Sequence, residues 1–202
     1  MNFIKKYLKQ SKSIIDNIDI EEIYKTIQII NDVKKNDGRI FFIGSGGGAG
    51  HASHAVNDFR KICNIESYSP SDNVSELTAR INDDGWDTSY SNWLKVSRIC
   101  SKDLLFVISV GGGNEKNNVS TNIINSIKIS KEVNAKIVGI IGKKDGFTAK
   151  NSNSCIIIPE VDSNLVTPHT ESFQAVIWHL IISHPLLASN MTKWESLNEE
   201  IK

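Results

Sequence analysis

The side chains able to do acid–base or metal chemistry fall into two groups. His51, His54 and Asp58 lie in the stretch Arg39 to Arg60, RIFFIGSGGGAGHASHAVNDFR. His169, Glu171, His179 and His184 lie toward the other end of the chain, and these seven include all five histidines of the sequence. His54 and Asp58 are four apart, so on a helix they share a face. Glu171 and His179 are eight apart, a little over two helical turns, and can also face one way. Together these four make a mixed nitrogen and oxygen set suited to Zn²⁺ or a similar divalent ion. Without a metal, the same groups can act as general acid and base. A lone histidine on an apolar helix is ordinarily a packing residue. Two acid–histidine pairs in helical phase turn the reading toward chemistry.

Just before the first pair, the apolar run Ile40 to Ile43 stops at Gly44-Ser45-Gly46-Gly47-Gly48. A strand, a glycine turn and a helix start make an anion site, because glycine lets backbone N–H groups approach closely and the helix end adds partial positive charge. The pattern recurs where Leu104 to Ser109, LLFVIS, runs into Val110-Gly111-Gly112-Gly113-Asn114. The first turn is not a Walker loop, since no Gly-Lys-Ser/Thr follows, and its dinucleotide pattern falls out of step. A phosphorylated small molecule fits better, held by backbone amides and the hydroxyls of Ser45 and Ser109.

These groups need a scaffold. Apolar residues at three and four spacing predict two helices over residues 1–36, with a break near Asp16 to Asp19. Helices are then expected from about Gly48 to Ile62, around Leu77 and Ile81, from Trp86 to Ile99, from about Lys116 to Asn134, near Gly146 to Lys150 and from Thr170 to Ser183. Strands are expected at Ile40–Ile43, Leu104–Ser109, Lys136–Ile141 and Cys155–Ile158. Glu66 to Asp72 reads as a loop, Asn82-Asp83-Asp84-Gly85 as a break, Pro159 and Pro168 as loop residues, and the tail to Lys202 as partly helical. Alternating strands and helices imply an α/β protein, a three-layer α/β/α sandwich on a mainly parallel sheet. Ligands of such sheets sit at the carboxyl ends of the strands, where both glycine turns lie.

With 202 residues the chain reads as one domain. Its 23 basic and 23 acidic residues balance, which gives no global field for nucleic acid or a membrane surface. Cys63, Cys100 and Cys155 are unpaired in pattern and read as reduced, two of them buried, in a cytoplasmic protein. The N-terminal stretch reads as neither a signal peptide nor a membrane span. Trp86, Trp93, Trp178 and Trp194 read as core or interface packing. Arg60 and Arg80 are candidates to reach a phosphate.

The Gly-Ser-Gly-Gly-Gly loop with its His-x-x-x-Asp helix resembles the sugar isomerase (SIS) family, and within it the phosphoheptose isomerases. The resemblance extends to the paired N-terminal helices, to Asp72-Asn73-Val74-Ser75-x-Leu77-Thr78-Ala79 running into Asn82-Asp83, and to the last helix. It implies a single SIS domain over 1–202, with helices 1–36 contributing to a homotetramer and 37–202 forming the core. It implies aldose–ketose isomerisation of a seven-carbon sugar phosphate for surface polysaccharide, at a zinc site between subunits. The family pattern then puts metal ligands at His54, Asp58, Glu171 and His179, and catalytic groups at Asp58, Glu171 and His179. Substrate and phosphate contacts fall to Ser45, Gly46, Gly47, Gly48, Asn82, Asp83, Ser109, Gly111, Gly112 and Asn114.

Four departures mark this member. Asp58 and Glu171 stand where the family has Glu and Gln, the second loop has glycines in place of hydroxyls, and Gly48 replaces a serine. A phosphosugar-binding regulator without catalysis, and an isomerase for another phosphorylated sugar, therefore stay open as readings.

Overall fold

The computed structural model describes residues 1–197. Helices α1 (Asn2–Asn17) and α2 (Ile20–Lys35) form the N-terminal pair. The break falls at Asp19, whose carboxylate caps α2 by accepting from the Glu22 N–H. Then follow β1 (Ile40–Gly44), α3 (Gly47–Lys61), β2 (Ser67–Tyr68), α4 (Val74–Asp84), α5 (Trp86–Val96), β3 (Leu104–Ile108) and α6 (Thr121–Glu132). The described chain ends with β4 (Lys136–Ile141), α7 (Phe147–Asn151), β5 (Ser154–Ile157), α8 (Val166–Ser183) and α9 (Lys193–Ser196). All strand pairings are parallel, in the order β2-β1-β3-β4-β5.

The expected three layers follow from strand alternation. Ile40, Phe42 and Phe106 face a core shared with Ile27, Phe59, Ile177 and Trp178, from α2, α3 and α8. Phe41, Ile43 and Leu105 face the opposite core, with Tyr90, Leu94, Ile123 and Ile127 from α5 and α6. Strands covered on both faces are apolar at nearly every position, so they were legible as runs.

Several expectations are corrected. The segment read as a loop from Glu66 contains β2, whose two residues are too few to make a pattern, and a 3₁₀ turn at Pro70–Asp72. Helix α4 runs through Asn82 and Asp83 and ends at Gly85, where φ is +83°. Helix α6 begins at Thr121, five residues later than expected, because Asn114 and Val119 pair as an antiparallel bridge and Asn118 and Ser120 take left-handed backbone. Helix α8 begins at Val166 and includes Pro168, which the first turn tolerates because its missing N–H would be unpaired there. Of the cysteines, Cys63 is buried, Cys155 half-buried and Cys100 exposed. Burial pushes the Cys63 thiol up to about 11 and that of Cys155 to about 12. Trp93 and Trp178 are core residues, whereas Trp86 and Trp194 are exposed on this chain. The tail beyond Leu197 lies outside the described residues. Among the described residues no helix is long and apolar enough to cross a membrane.

Candidate active site

Helices α3 and α8 run side by side in the same direction, in a register that three contacts define. Glu171 lies against Gly47, Trp178 against His54, and His179 near Asp58. Along the seam between them, on from the first glycine loop, lies a cluster of His54, Asp58 and His179, whose candidate ligand atoms all lie within 4.8 Å of one another. One Asp58 carboxylate oxygen is 3.5 Å from His54 Nε2 and 3.9 Å from His179 Nε2. Two ligands about 2.1 Å from one tetrahedral ion sit about 3.4 Å apart, close to this spacing. The other Asp58 oxygen accepts from Asn57 Nδ2 at 2.7 Å.

His179 Nδ1 donates to the Ala175 carbonyl at 2.7 Å. That bond fixes the tautomer and leaves the Nε2 lone pair facing Asp58, as outer partners of metal-binding histidines do. Trp178, fully buried, forms the floor: its ring stacks on His179 and meets His54 edge-on at 4.8 Å. The donor set thus fits a divalent ion with three protein ligands and an open position.

Glu171 does not join this cluster. It precedes His179 by eight residues, about 12 Å along the helix axis, so sharing a face does not bring the two to one point. Its carboxylate rests instead on the glycine loop, where a Cβ on Gly47 would come within 2.6 Å of it. His51, one turn before His54, is half-buried next to Glu171. Burial holds the His51 imidazole below its usual pKa, against the opposing pull of the Glu171 carboxylate.

The two glycine turns differ. In the first, Gly46 (φ +58°) and Gly47 are exposed, and Gly48 packs so tightly under the end of β3 that a Cβ would lie 2.3 Å from the Ile108 carbonyl oxygen. No side chain fits there, which accounts for the missing serine. The second turn is folded on itself. The Gly112 N–H donates to Ser109 Oγ, and the Gly112 carbonyl accepts from both Thr148 N and Thr148 Oγ1. Asn114 is exposed, and its Oδ1 accepts from the Asn117 N–H. Gly111 alone of this run's glycines is exposed. Asn82 and Asp83 are exposed on the last turn of α4 and hydrogen-bond each other at 2.8 Å. Arg80 pairs with Glu76, and Arg60 donates to the Ser67 carbonyl, so both have local partners.

Sequence reasoning missed Asn122. It is fully buried on the first turn of α6, with Nδ2 3.4 Å from Ser45 Oγ and Oδ1 without a partner. It joins the first glycine loop to the N-terminus of α6, where Ser120 and Thr121 add hydroxyls. The run Ser120-Thr121-Asn122 before Ile123-Ile124 was the available helix-start signal.

Residues 6–142 match the family described as the SIS domain. A phosphoheptose isomerase of Aliarcobacter butzleri is 28% identical over 191 residues, covering 91% of this chain and 92% of the relative. One from Aneurinibacillus thermoaerophilus is 27% identical, covering 89% and 90%. The solved phosphoheptose isomerase of Neisseria gonorrhoeae superposes with a TM-score of 0.77 at 20% identity, covering 90% of this chain and 96% of that one, a likeness of fold.

Proposed function

This chain belongs to the SIS domain family, and on that footing we propose that it is a sugar-phosphate aldose–ketose isomerase. Its substrate is sedoheptulose 7-phosphate and its product D-glycero-D-manno-heptose 7-phosphate, serving surface polysaccharide synthesis in the cytoplasm. The observation that carries this reading is the His54–Asp58–His179 cluster, with His179 Nδ1 committed to Ala175, on the seam of α3 and α8 that starts at a glycine loop.

His54, Asp58 and His179 would hold the divalent ion, for which zinc suits the donors. The ion supplies Lewis acidity toward the oxygens on the two reacting carbons. Isomerisation also needs a base that removes a proton from one carbon and returns it to its neighbour. Asp58 and His179 stand at the cluster and can carry that proton, whereas Glu171 lies about two helical turns higher, against Gly47. The phosphate rests on Ser45 to Gly48, with donors from Ser109, Gly111 and the start of α6. We take residues 1–202 as one SIS unit that works as a homotetramer, with α1 and α2 at the contacts. Exposed Phe3, Ile4, Leu8 and Ile15 on α1 support that assignment.

The test is turnover of sedoheptulose 7-phosphate by purified protein, before and after chelation and Zn²⁺ return. Turnover that falls on chelation and recovers with Zn²⁺ is expected; no turnover under either condition overturns the reading.

A further inference from the structure

Helix α3 begins without the groups that normally satisfy a helix N-terminus. It has no acidic residue in its first turn, and no side chain of its N-cap accepts from it. The first N–H groups of a helix need acceptors and carry partial positive charge. The Ser45 and Gly46 carbonyls take the N–H groups of Gly48, Ala49 and Gly50. Among the described residues, the N–H groups of the exposed Gly46 and Gly47 donate to no protein atom.

Glu171 supplies the missing acid from another helix. Its carboxylate lies across Gly47, with Cδ and both oxygens 2.6 to 2.7 Å from the place a Cβ would take. Glu171 is half-buried, and among the described residues it belongs to no ion pair. A carboxylate in that position draws its compensation from the positive end of α3. No hydrogen bond closes the contact, so the charge rests on the helix end while the Gly46 and Gly47 donors stay open. The loop that is to hold the substrate phosphate thus already carries an anion of the protein's own.

We propose that Glu171 is an autoinhibitory occupant of the glycine loop: its carboxylate covers the start of α3, and a sugar phosphate must displace it to bind. The inference rests on the isomerase reading for the placement of the phosphate. A phosphate group can make the exchange because it brings a charge of about −1.5 to −2 and three strong acceptor oxygens. It satisfies the two N–H groups that the carboxylate leaves open. A singly charged ligand has no such advantage over Glu171, so the contact also sets a threshold that favours phosphate over carboxylate ligands.

The experiment titrates wild type, Glu171→Gln and Glu171→Ala with inorganic phosphate by calorimetry, on metal-loaded protein and after chelation, at low salt and in 0.5 M NaCl. An occupant present about nine-tenths of the time lowers apparent affinity about tenfold. Both variants should therefore bind phosphate about tenfold more tightly than wild type, with or without metal. The gain should persist in high salt, because a contact at this range lies inside the screening length. Phosphate affinity that is unchanged or weaker in the variants overturns the proposal and leaves the isomerase reading standing. So does a gain that vanishes in 0.5 M NaCl, which would report repulsion at a distance, or phosphate binding that disappears on chelation, which would put the anion on the metal. Tighter phosphate in both variants, beside a wild type that does not turn over sedoheptulose 7-phosphate, upholds the autoinhibitory contact and overturns the isomerase reading alone.

Discussion

Two charged clusters at opposite ends of this molecule show what separates a structural ion pair from a working site. At the edge of the sheet where β1 and β3 begin, Asp103 pairs with Arg39. The Asp103 side chain is 2% exposed and accepts from the Arg39 N–H, Nε and Nη2 and from the Cys100 N–H. Arg39 Nη1 and Nη2 also donate to the Ser97 and Arg98 carbonyls. The Asp103 carboxylate accepts four hydrogen bonds and four of the five Arg39 guanidinium N–H groups are spent within the fold. On the seam between α3 and α8, two imidazoles more than 45% exposed flank Asp58, with their Nε2 atoms turned toward its oxygen. The first cluster satisfies itself; the second leaves coordination sites pointing at one place. Charge and burial alone would rank Asp103 first, but unspent lone pairs identify the candidate site.

The contrast breaks most sharply at His179. His179→Ala should lower turnover of sedoheptulose 7-phosphate by at least about a hundredfold, the scale of a lost acid–base or metal-holding group, while the thermal midpoint changes little. Steady-state kinetics and calorimetry on one preparation check both halves. Asp103→Ala should do the reverse, since it leaves a half-buried Arg39 and two backbone N–H groups without their acceptor, at a cost of about 2 kcal/mol of stability. Denaturant unfolding would show this, and kcat below the transition should match wild type. A large kcat loss in Asp103→Ala would dissolve the distinction.

Gly47→Ala probes the border between the regions. Its Cβ would meet the mobile end of Glu171, not backbone. Stability should change by less than about 1 kcal/mol, while a methyl group on the phosphate-holding loop raises KM about tenfold. Activity and melting measured together decide it. The smallest effect is with pH. Burial alone would raise the Asp103 carboxyl, but Arg39 and the two backbone N–H groups outweigh it and hold it below its usual 3.8. A carboxyl lowered in the folded state adds stability above its unfolded pKa and loses it as pH falls through the folded one. Unfolding midpoints should therefore decline less steeply below pH 4 in Asp103→Asn than in wild type.

Much of the scaffold was legible because its signals are local. Buried parallel strands are continuous apolar runs, Asp19 announces a helix start, and each strand that ends in glycines places a turn at the sheet's carboxyl edge. Helical phase likewise put His54 with Asp58. What was not legible depends on distances between segments far apart in sequence. The two-residue β2 exists only because β1 offers it an edge. Serine and glycine composition in the second turn could not say that the Gly112 N–H and carbonyl are taken up by Ser109 Oγ and Thr148.

The sequence by itself determined the layered α/β class, the two glycine turns and the pairing of His54 with Asp58, since each follows from backbone periodicity over a few residues. Only the tertiary structure decided which of the four paired ligands converge. Periodicity gives a residue's face but not its height along a neighbouring helix. The packing of α8 on α3 brings His179 to Asp58, and leaves Glu171 about two turns higher, against Gly47.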